Sequence, residues 1–107
     1  MERPIRLAAL ALAAALSSGA AHADTAIATK WRLVGESQND CMAHARMAIF
    51  RAGFDTSEPA SQSMSGKHGD YAALIRCISD QRMVIFVTSS PSADTTLQHL
   101  ELLYGHF

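Results

Sequence analysis

Histidine and methionine fall into two close pairs, His44 with Met47 and Met64 with His68. Imidazole nitrogen beside thioether sulfur is a borderline-to-soft donor set, and copper is the metal it suits. His44 and Met47 stand one helical turn apart, while Met64 and His68 flank Gly66, which reads as a turn. The other donors of these types among residues 24–107, Met42, Met83, His99 and His106, are scattered. Neither pair repeats as a dedicated metal tract does. Methionine filling a core and histidine on a solvated surface account for the same residues. No resident cofactor is therefore expected, and a copper or other soft-metal binder is the alternative reading.

Hydrolytic chemistry needs a nucleophile, a base and a group that orients the base. Asp40 and His44 lie one turn apart and offer an orienter and a base. Pairs at this spacing on an exposed helix are usually modest local contacts. Serines are plentiful, but the chain has neither a G-x-S-x-G elbow nor an S-x-x-K nucleophile motif. No catalytic residue is assigned, and the expectation is a protein that is not an enzyme.

Recognition is the third kind of chemistry to consider. The stretch from Asp55 to Gly69 is polar and serine-rich, with Ser61, Ser63, Ser65, Lys67 and His68 as candidate binding residues. It is the longest segment not needed for a core, and such segments commonly carry binding. Pro59 disfavours a central strand, so the stretch reads either as a loop or as an edge strand near residues 60–65. An edge strand can receive a partner strand, or it can simply be a blunted edge.

Around these residues the pattern predicts a small domain. Residues 30–36 alternate as a strand with Trp31 and Leu33 on one face. Cap-forming residues over Ser37–Asp40 precede a helix that buries Cys41, Ala45, Ala48, Ile49 and Ala52, and Gly53 with Phe54 closes it. Tyr71–Ile78 alternates with Tyr71, Ala73, Ile75 and Cys77 on one face. Residues 83–88 hold an unbroken apolar run, Val84 to Val87, expected to be buried on both sides. After Pro91, with a cap at Ser92 or Asp94, a closing helix presents Ala93, Leu97, Leu100, Tyr104 and Phe107. The order β-α-β-β-β-α predicts an α+β two-layer sandwich, a three- to four-stranded, mainly antiparallel sheet covered by two helices.

The two cysteines, Cys41 and Cys77, allow one intramolecular pairing, and their phases put both on inward faces. A structural disulfide joining helix to sheet is favoured over two free thiols, because residues 24–107 make one domain small enough to need a staple. The compartment must then be oxidising. Residues 1–23 supply that address: Arg3 and Arg6, an Ala/Leu run from Leu7 to Leu16, and small residues at Ala21 and Ala23. This is the pattern of a cleavable signal peptide with the cut before Asp24. A transmembrane anchor competes, but the run is short of the ~20 residues that a bilayer requires. No stable membrane insertion is expected after cleavage. A net charge of −1 with no basic patch argues against nucleic acid as a partner.

From Cys41 onward the chain resembles a group of small exported bacterial proteins of unknown function. The resemblance rests on Gly53-Phe54 closing the helix, the Gly66-Lys67-His68-Gly69-Asp70-Tyr71 segment, Ile75-Arg76-Cys77, the Val84-Ile85-Phe86-Val87 strand and Pro91 before the closing helix. The chain departs from that pattern at Ser89-Ser90, where a glycine before the proline is more usual. The resemblance implies export, the fold and the disulfide, and it carries over no activity. The sequence therefore points to a periplasmic, non-enzymatic binding module of the cell envelope. It would be monomeric or weakly self-associating, with an exported protein as partner.

Overall fold

The computed structural model describes residues 25–107, and the signal segment and cut site proposed above lie outside them. The elements are β1 (Ala26–Leu33), α1 (Gln38–Arg51), β2 (Asp55–Thr56), β3 (Ser63–His68), β4 (Tyr71–Ile78), a 3₁₀ turn (Ser79–Gln81), β5 (Met83–Ser90) and α2 (Ala93–His106). The strands form one antiparallel sheet in the order β1-β5-β4-β3-β2. Both helices pack on one side of it, which makes the fold an α+β sandwich of two layers.

The class agrees with the sequence pattern, while the element order departs from it. A two-residue strand, β2, pairs Asp55 with Lys67 and Thr56 with Gly66, so the sheet has five strands and the order is β-α-β-β-β-β-α. Two residues are too few to show a period. The candidate edge strand near residues 60–65 is displaced for the same reason. β3 begins at Ser63, is covered at its far end by β2, and keeps Pro59 in the connection. The turn comes later than expected, because His68 pairs with Tyr71 and Gly69, at φ +59°, is the first residue of a two-residue hairpin loop.

Helix α1 matches its sequence signals. Ser37 caps it by accepting the Asp40 N–H at 3.2 Å, Cys41, Ala45, Ala48 and Ile49 are buried, and Gly53 follows its end with φ +96°. Cys41 and Cys77 form the disulfide, with Cα atoms 6.1 Å apart, tying the first turn of α1 to the end of β4. Gln38 reinforces that junction. Its Nε2 donates to the Cys77 carbonyl at 2.9 Å and its Oε1 accepts the Ser79 N–H at 3.2 Å. The core between the layers is built on Ile49, Ile75, Val84, Phe86 and Leu103, all fully buried. Side chains of this size contribute roughly 1.5–3 kcal/mol each when removed from water.

Helix α2 is rotated from the expected stripe. Its buried residues are Thr96, Leu100 and Leu103, whereas Leu97 is 56 % exposed. The cause is a hydroxyl network at its first turn. Thr96 Oγ1 donates to the Ser92 carbonyl at 2.8 Å, Ser90 Oγ lies 2.6 Å from Thr96 Oγ1, and Thr88 Oγ1 donates to the Thr96 carbonyl at 2.8 Å. Each hydroxyl of this network has a partner, so a threonine takes the inward position that apolar periodicity assigns to leucine. Ser92 is the N-cap, accepting from Thr95 N–H at 3.3 Å.

Candidate functional site

β5 is buried on one side only, not on both as its apolar run suggests. Val84, Phe86, Thr88 and Ser90 face the helices, and Met83, Ile85, Val87 and Ser89 face away from them. The register carries this second face across the sheet. Trp31 lies beside Ile85 and Ile85 beside Arg76; Thr29 lies beside Val87 and Val87 beside Leu74; Leu33 lies beside Met83 and Met83 beside Ile78. No element of the described chain covers it. On β1 this leaves Ile27 70 %, Trp31 60 % and Leu33 70 % exposed. Large contiguous apolar patches on a folded surface are uncommon and usually mark interaction sites.

The open face has relief. One shallow depression of about 170 Å³ is lined by Thr29, Trp31, Met83 and Ile85. Another of similar volume lies among Ser65, Lys67, Ala72, Leu74 and Val87. The polar side chains lie toward β3, where Ser63, Ser65 and Lys67 alternate with Met64 and Gly66. Arg76 stands at that boundary, its Nη2 donating to Gln62 Oε1 at 2.7 Å.

Four of the five candidates in the serine-rich stretch thus belong to the sheet. Ser63, Ser65 and Lys67 rim the open face, Ser61 lies in the preceding connection, and His68 ends β3 with its Nδ1 4.0 Å from Asp55 Oδ2. The candidate metal donors are not assembled. Met64 is a core residue at 2 % exposure, Met47 lies on the solvent side of α1, and the His68 ring is exposed. Among the described residues, no group of three or more histidine, cysteine or acidic side chains is placed to hold a metal ion.

His44 does meet an acid, but it is Glu36 and not Asp40. Its Nδ1 pairs with Glu36 Oε2, and its ring sits edge-on to Phe107 with centroids 6.0 Å apart. Asp40 lies in the first turn of α1, where its backbone N–H takes the Ser37 cap. Glu36 precedes the helix and reaches His44 from the chain's entry into it.

With Arg32, Val34 and Phe107, these two residues line an open cleft of about 400 Å³ at the end of β1. The Arg32 guanidinium lies 4.8 Å from the Tyr104 ring centroid and 4.9 Å from that of Phe107. Glu36 Oε1 is buried in this cleft's wall without a hydrogen-bond partner. Glu36 and Phe107 together hold the His44 ring, the first by pairing with Nδ1 and the second by edge-on packing.

Sequence reasoning marked the polar rim and missed the apolar face beside it. Trp31 and Leu33 on one face of a strand was the available signal, but a single strand does not show which face the helices cover. Compared with known proteins, the chain matches no protein-family model and no curated sequence.

Proposed function

We propose that this protein is a non-enzymatic binding module exported to the periplasm, and that it works through the open face of its sheet. The observation that carries this reading is the exposure of Ile27, Trp31 and Leu33 on a face continuous with Ile85, Val87 and Leu74. An exposed apolar face with a polar rim is the arrangement from which stable protein contacts are built. Ser63, Ser65 and Lys67 supply the rim, so the serine-rich segment and the apolar face make one surface. The disulfide suits an oxidising compartment, and the signal-like residues 1–23 supply the route to it.

The test is chemical cross-linking in intact envelope, comparing the native chain with Ile27→Asp. Adducts formed by the native chain and lost in the variant support a binding face. Adducts unchanged by the variant, or none with either chain, overturn it. The same sample gives the address: the mass of the recovered chain should begin at Asp24 and be lower by two hydrogens than the reduced form.

A further inference from the structure

We infer that the open sheet face is covered by a second copy of this chain, the two sheets packing face to face about a two-fold axis that runs across the strands. This rests on the open face being the protein's working surface and names its occupant. The face is a set of rows fixed by strand register: Ile27-Ser89-Ala72, Thr29-Val87-Leu74, Trp31-Ile85-Arg76 and Leu33-Met83-Ile78. A two-fold axis between the second and third rows reverses their order, so the first row meets the partner's fourth and the second meets its third.

The face is self-complementary under that operation. Small Ser89 and Ala72 come opposite the partner's large Met83 and Ile78, Ile27 comes opposite the partner's Leu33, and Val87 opposite the partner's Ile85. Arg76 meets the partner's Leu74, not another charge, and Lys67 extends the first row onto β3, on the polar side of the face. An axis along the strands would instead set Trp31 against the serines of β3. Sheets stacked in this way settle about 30° apart because each is twisted.

The size of the face suits a second copy. Three strands of eight residues with the six-residue β3 beside them, at ~4.8 Å spacing and ~3.4 Å per residue, span at most roughly 19 by 27 Å, about 500 Å² before side-chain relief is counted. With relief, the face approaches the lower end of the roughly 800 Å² per partner in a standard interface. A reversible dimer with a midpoint in the micromolar range is therefore expected. It would bury the only tryptophan of the chain, Trp31.

The experiment is sedimentation velocity across a dilution series of the purified chain, its N-terminus read by mass, with Trp31 emission followed in parallel. Dimer forming with concentration, and emission moving to shorter wavelength over the same range, are the expected results. Ile27→Asp should weaken association at least tenfold, and adding Leu33→Lys should recover most of it, because the two positions face each other only between copies. Ile27 and Leu33 are both exposed, so these variants fold. Leu74→Cys should join two copies through a short bis-maleimide, and Gln98→Cys on the outer side of α2 should not.

A chain monomeric at hundreds of micromolar with unchanged Trp31 emission overturns the inference, as does a dimer that Leu74→Cys cannot cross-link, which would mean pairing along the β1 edge. If self-association fails but Ile27→Asp still abolishes adducts to another protein in the envelope, the face binds a different occupant. If both fail, it is not a binding face.

Discussion

Gly66 and Ile49 touch so closely that β3 has no room for a side chain there: a Cβ on Gly66 would stand 2.6 Å from Ile49 Cγ2, 2.9 Å from the Asp55 carbonyl oxygen and 2.9 Å from Phe54 Cβ. The carbonyl belongs to backbone and cannot rotate away. Gly66→Ala should therefore destabilise the fold by about 3 kcal/mol, the upper part of the range for overpacking. Chemical denaturation of Gly66→Ala beside the native chain checks this. A loss below about 0.5 kcal/mol, the level of a neutral surface change, would show that β3 and α1 can move apart.

How much of this was legible follows from the range of each signal. α1 was readable because its cap, its buried face and Gly53 lie within one local stretch. Gly66 read as punctuation in Gly-Lys-His-Gly, since its requirement comes from Ile49 and Phe54, elsewhere in the chain. β5 was recognisable as a strand, but Met83, Ile85 and Val87 are as apolar as the residues they alternate with, which hid the face without a cover. Asp40 was the sequence's partner for His44 because it lies one turn away, whereas Glu36 reaches His44 only after the chain bends into α1.

The Cys41–Cys77 bond closes a loop with a sequence separation of 36, for which chain entropy gives roughly 4 kcal/mol of stabilisation. That is comparable with the net stability of a domain this small. Replacing both cysteines with alanine should lower the thermal midpoint by tens of degrees or leave the chain unfolded at 37 °C. Circular dichroism of the double variant with and without a stabilising osmolyte distinguishes the two. A shift of only a few degrees would mean that Gln38 and the core hold α1 to β4 without the covalent link.

Thr96 is the hinge of the hydroxyl network that sets the rotation of α2. Thr96→Val keeps the shape but removes the donor to the Ser92 carbonyl and the partner of Ser90 Oγ, and should cost about 1–3 kcal/mol. Thr95→Val, whose side chain takes no part in this network, should cost less than about 0.5 kcal/mol. In a domain of this length each kcal/mol moves the midpoint by roughly 4–8 °C, so thermal melts separate the two variants. Equal shifts would mean that the network does not position the helix.

The Glu36–His44 contact has a spectroscopic consequence. A carboxylate at Nδ1 fixes the proton there in the neutral ring. Ring ¹⁵N shifts should report the Nδ1–H tautomer in the neutral imidazole and move toward the usual mixture in Glu36→Gln. Asp40→Asn should leave them in place. Sensitivity to Asp40 instead of Glu36 would reinstate the pair expected from helical spacing.

The two faces of the sheet should respond oppositely to loss of apolar side chains. Phe86 and Val84 are fully buried under the helices, so Phe86→Ala should cost about 3–5 kcal/mol and Val84→Ala somewhat less. Ile27 and Leu33 are equally apolar and lie on strands of the same sheet, yet each is 70 % exposed, so little of their surface is removed from water by folding. Ile27→Ser and Leu33→Ser should each change the stability of the dilute chain by less than about 0.5 kcal/mol. Urea denaturation below micromolar concentration isolates this intrinsic term. At higher concentration the same substitutions should become destabilising, because association adds stability in proportion to the logarithm of protein concentration. A cost present at all dilutions would place Ile27 and Leu33 in the core instead, and a cost absent at every concentration would leave the face without an occupant of its own kind.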